Sequence, residues 1–85
     1  MQRVNYEAVR TGRDGEKRCV NSQLPGEGNQ LIHSTIIGVG ARIAPGQWAE
    51  VKAAALEVSA TGRARKIWFG AHHYVSITRA DKRLL

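Results

Sequence analysis

One cysteine, two prolines, two Trp, two Tyr and one Phe stand in a chain of 85 residues, and no stretch is continuously apolar. Each scarcity excludes something. Cys19 alone forms no internal disulfide and supports no cysteine-based zinc cage within one chain. Set in KRCVNS, it reads as a small buried hydrophobe in a strand rather than a reactive thiol. The most apolar candidate span, LIHSTIIGVGARIAPG, is broken by polar residues and glycines well short of the ~18 residues a membrane helix needs. The polar opening after Met1, QRVNYEAVRTGRDGEK, has no apolar core of a secretory signal. A soluble, cytoplasmic protein with no membrane partner is the expectation.

Chemical signatures are equally sparse. GVG at 38–40 suggests a nucleotide loop, but the GxGxxG fingerprint requires glycine at position 43, where Ile43 stands. Neither HExxH, paired CxxC nor GxSxG occurs. The histidines are His33, His72 and His73. Adjacent residues of a strand point to opposite faces, so His72 and His73 share a metal only from a distorted turn. Nothing positive points to catalysis, and no catalytic residue, metal ligand or cofactor is expected.

What the chain does hold is a composition for one small core and an uneven charge. It is 42% hydrophobic and 24% charged, which suits a single compact domain over 1–85. The formal net charge is +6: residues 1–20 contribute +2, residues 21–60 contribute −1 and residues 61–85 contribute +5. Nine of the thirteen cations are Arg, which favours bidentate contacts with acidic groups. Residues 80–85 are expected to form a flexible basic tail.

Periodicity predicts an α+β fold. RVNYEAVR alternates as a half-buried strand over 2–10, TGRDG supplies a hairpin turn, and EKRCVNS returns as a strand over 16–22. LPGEGNQ is a loop. The β-branched run Thr35-Ile36-Ile37 predicts a third strand over 30–42. APGQWAEVKAAALEVSATG predicts a helix over 46–60, with Pro45 at its start and Gly62 at its end. Trp48, Val51, Ala55 and Val58 form its core stripe, widened by Leu56, while Glu50 and Glu57 face water. That acidic outer face makes it a poor reader of a DNA groove.

KIWFGAHHYVSITR, residues 66–79, reads either as one long strand or as a hairpin turning at GAHH. The hairpin keeps both strands to ordinary length and places both histidines at its tip. The order is then β-β-β-α-β-β, an antiparallel sheet with one helix across one face. Trp68 falls on the face opposite Ile67 and Phe69, where it either fills a second small core or looks outward with Tyr74. The outward reading makes Arg63, Arg65, Lys66, Trp68, His72, Tyr74, Arg79, Lys82 and Arg83 the candidate binding residues.

These residues suggest a small basic, non-catalytic protein that docks on an acidic protein face or a nucleoprotein complex as a regulator or inhibitor. That layout suits small accessory proteins of phage or mobile elements. The alternative is direct, weakly sequence-specific nucleic-acid binding, with Trp68 and Tyr74 as stacking platforms. An enzyme with a site not visible in sequence is a third reading.

Overall fold

The computed structural model describes residues 1–26 and 29–81. Six elements follow one another: β1 (Val4–Gly12), β2 (Gly15–Gln23), α1 (Asn29–Gly38), α2 (Pro45–Thr61), β3 (Arg65–Gly70) and β4 (His73–Arg79). The strands form one antiparallel sheet in the order β2-β1-β4-β3. The fold is α+β, and both helices pack on the same side of the sheet. That side carries Val4, Tyr6 and Ala8 of β1, Ile67 of β3 and Val75 and Ile77 of β4, all buried against Ile32, Ile36, Val51, Ala55 and Val58.

The segment expected as a third strand is a helix instead. Its buried residues, Ile32, Thr35, Ile36 and Val39, fall at i, i+3, i+4 and i+7, the helical period. β-Branching disfavours helix by only about half a kcal/mol per residue, so burial of an apolar stripe against the sheet overrides it. Thr35 also finds helical partners: its Oγ1 donates to the Leu31 carbonyl at 2.9 Å. Asn21 of β2 donates to that same carbonyl at 2.7 Å and to the Thr35 hydroxyl, tying α1 to the sheet edge. Ile37 lies on the solvent side of α1 and is 54% exposed. Ile37→Lys is therefore expected to shift stability by no more than about 0.5 kcal/mol in urea denaturation, whereas a buried central strand would not tolerate it.

The second helix begins at Pro45 as expected, and the Gln47 side chain accepts a hydrogen bond from the Ala44 N–H at 3.1 Å. It ends where the Gly62 N–H donates to the Val58 carbonyl at 2.8 Å. Val51, Ala54, Ala55 and Val58 are buried; Trp48 is half-buried and Leu56 is exposed, so the inward stripe runs along the small residues. Ser59 reaches across to donate to the Gln2 carbonyl at 2.7 Å, fixing α2 beside the entry to β1. Cys19 is half-buried against the core. Among the described residues no helix is long and apolar enough to cross a membrane.

Residues 66–79 do form a hairpin, with Ala71 and His72 as the turn between β3 and β4. His73 is not at the tip; it is the first residue of β4, half-buried and paired with Arg10.

Candidate docking face

With both helices on one side, no described element covers the other face of the sheet. Antiparallel partners share a face, so the register identifies what stands there. One row across the sheet reads Arg18, Val9, Tyr74, Trp68; the next reads Val20, Glu7, Ser76, Lys66. Val9 is fully buried although it lies outside the helix-side core, between its cross-strand neighbours Arg18 and Tyr74.

Trp68 is 53% exposed, so it does not fill a second core. Its ring lies 4.8 Å from that of Tyr74, tilted by 48°. The Lys66 ammonium sits 4.5 Å from the Tyr74 ring centre and 5.8 Å from that of Trp68. Two rings and a cation thus make a small amphipathic platform held by three adjacent ladder positions. Across the sheet, Arg18 reaches both Glu7 and Glu16, the latter at 3.2 Å. The open face is consequently near charge balance, with its aromatic end and its ion-paired end side by side.

Strand parity divides the residues expected to form one site. Lys66, Trp68 and Tyr74 come together on the open face. Arg65 has the opposite parity and turns to the helix side, where it pairs with Glu57 at 2.7 Å. Arg79 shares that parity and bonds Asp81 at 2.7 Å. Such exposed pairs contribute little stability, but they occupy the cations. Arg63 lies between α2 and β3, exposed, and His72 lies in the β3–β4 turn. Lys82, Arg83 and the expected basic tail fall outside the described residues, apart from Ala80 and Asp81.

Three features of the surface were not anticipated from sequence. Val9 and Arg18 belong to the same row as the aromatic pair, a register that only pairing between the first and last strands reveals. Arg10, Arg13 and Lys17 converge around a cavity of about 130 Å³ at the β1–β2 turn. On the helix side, a broad groove of about 450 Å³ is lined by Gln30, His33, Ser34 and Trp48, with the His33 ring edge-on to Trp48 at 5.5 Å. His33 lies on α1, His72 in the β3–β4 turn and His73 at the start of β4, and among the described residues no cluster of three metal-binding side chains occurs.

No family model matches the chain, and neither a curated protein nor a solved structure was found to be similar to it.

Proposed function

We propose that this protein is a small, non-catalytic binding module that docks on a protein or nucleoprotein complex as a regulator or inhibitor, through the open face of its sheet. The observation that carries this reading is the half-exposed Trp68 packed at a tilt against Tyr74, with the Lys66 ammonium over the Tyr74 ring. A Trp side chain presents about 150–250 Å² of contact area. Covering the exposed half at ~25 cal/mol per Å² contributes about 2–3 kcal/mol on association, the scale of an interface hot spot. The rigid sheet holds both rings without the ordering cost a loop incurs. Arg65 and Arg79, held in ion pairs on the other side, are not part of this face.

The test places a photocrosslinking amino acid at Val20, which is exposed on the open face, and at Leu56, which is exposed on α2. Partners captured from Val20 and absent from Leu56 identify the complex, with and without nuclease. Trp68→Ala is expected to weaken the captured partner's binding about thirtyfold or more while leaving thermal stability close to wild type. Identical capture from both positions, or a Trp68→Ala variant that binds as well as wild type, would overturn the reading.

A further inference from the structure

We propose that the outer edge of β3 is a self-association site, where a second copy of this chain adds its own β3 antiparallel and joins two four-stranded sheets into one. Such a dimer stands independently of what the open face binds.

β3 is the last strand of the sheet, and β4 is the one described strand it pairs with. The direction of its backbone groups follows from two bonds between β1 and β4. The Thr11 N–H donates to the His72 carbonyl and the Ala80 N–H to the Arg3 carbonyl, both at 2.9 Å. Hydrogen-bonded and non-hydrogen-bonded pairs alternate in an antiparallel ladder, so Tyr74, Ser76 and Thr78 turn their backbone groups to β1. Val75 and Ile77 turn theirs to β3, where their partners are Ile67 and Arg65. Lys66 and Trp68 are therefore left with N–H and C=O directed away from the sheet, while their side chains stand on the open face.

Backbone groups directed outward accept any extended strand, but the side chains select this one. An antiparallel copy bonds here only when outward-directed residues face one another. Centred on Ile67, the pairing sets Lys66 opposite the second copy's Trp68, and Trp68 opposite its Lys66. Each ammonium then meets an indole across the seam, and Ile67 meets its own counterpart on the helix side. Two hydrogen-bonded pairs supply the backbone bonds between the copies. The neighbouring registers are worse. Centring on Lys66 sets two ammoniums face to face, which is repulsive. Centring on Trp68 pushes Lys66 against Gly70, past the shift in the ladder between Trp68 and Gly70. Registers further along leave one of the two outward residues without a partner.

Lysines on edge strands often keep sheets apart. Lys66 is instead folded across the open face, its ammonium 4.5 Å from the Tyr74 ring centre. The opposite edge is guarded, because Glu16, Lys17 and Arg18 give β2 three charges in succession. The two-fold axis stands perpendicular to the sheet, so both open faces look the same way. The seam is short: the six residues of β3 at about 3.3 Å each span roughly 20 Å, so the dimer forms at micromolar rather than nanomolar concentration.

Sedimentation equilibrium from about 1 to 500 µM tests this, with monomer expected at the low end and dimer at the high end. Lys66→Pro removes an outward N–H that the fold itself does not use, a substitution that edge strands accept. It should keep the circular dichroism of wild type and weaken dimerisation at least about tenfold. Trp68→Lys and Trp68→Glu read the register. The first sets like charges opposite Lys66 and should abolish the dimer over this range. The second sets a carboxylate there and should keep dimerisation within about threefold of wild type. If Lys66→Pro fails to fold, the two Trp68 variants decide alone. A wild type that stays monomeric throughout leaves the edge to a strand of another protein and overturns the proposal. A dimer indifferent to a folded Lys66→Pro, or equal loss in Trp68→Glu and Trp68→Lys, overturns it as well.

Discussion

Replacing Ile77 by alanine is expected to remove about 2–5 kcal/mol of stability. Ile77 is completely buried on β4, which lies between β1 and β3, and its cross-strand partners are Tyr6 and Arg65. It meets the core formed with α2, so the side chain touches the interior from the centre of the sheet. A central position cannot collapse around a missing group as an edge can, and the cavity term adds to the lost transfer energy. A domain of 85 residues has only about 4–13 kcal/mol in total. The variant should therefore show a strongly reduced urea midpoint with an unchanged m-value. A loss below about 1 kcal/mol would mean that Ile77 is not where this fold places it.

Alkaline pH should expose a second large contribution, centred on Tyr6. Its phenol is fully buried in the core, and burial pushes its pKa up to about 12, while a hydrogen bond from the Gln23 side chain acts in the other direction. The unfolded chain titrates near 10. Below pH 10 both states keep the proton, and the buried neutral phenol contributes in full. Between pH 10 and 12 the unfolded state releases its proton while the folded state retains it, so stability falls as pH rises. About two pH units of separation correspond to roughly 3 kcal/mol lost by pH 12. Urea midpoints for wild type and Tyr6→Phe measured from pH 8 to 12 isolate this group, because every other residue is common to both proteins. Parallel curves would exclude Tyr6 as the source.

Local pattern made part of this architecture legible. Alternation in RVNYEAVR, the TGRDG turn and the Pro45-to-Gly62 frame each correspond to an observed element, because short-range spacing alone determines them. The segment around Thr35-Ile36-Ile37 was misleading for a physical reason. Residue propensity and residue period disagreed there, and tertiary burial decided in favour of period. Trp68 and Tyr74 could be placed on one face from strand parity once the hairpin was assumed. Arg65 and Arg79 were grouped with them by sequence proximity, although parity sends both to the other side. The joining of Val9 and Arg18 to the row of Tyr74 and Trp68 depends on β1 lying beside β4, a pairing no local signal encodes.

That pairing of first strand with last also places Arg3 against Ala80, whose N–H donates to the Arg3 carbonyl at 2.9 Å. This bond lies at the end of the β1–β4 ladder remote from the two turns. Anything covalently joined before Arg3 or after Ala80 begins its path beside this bond rather than beside those turns. A label or fusion joined at either point would therefore leave the β1–β2 and β3–β4 turns at the opposite end of the sheet.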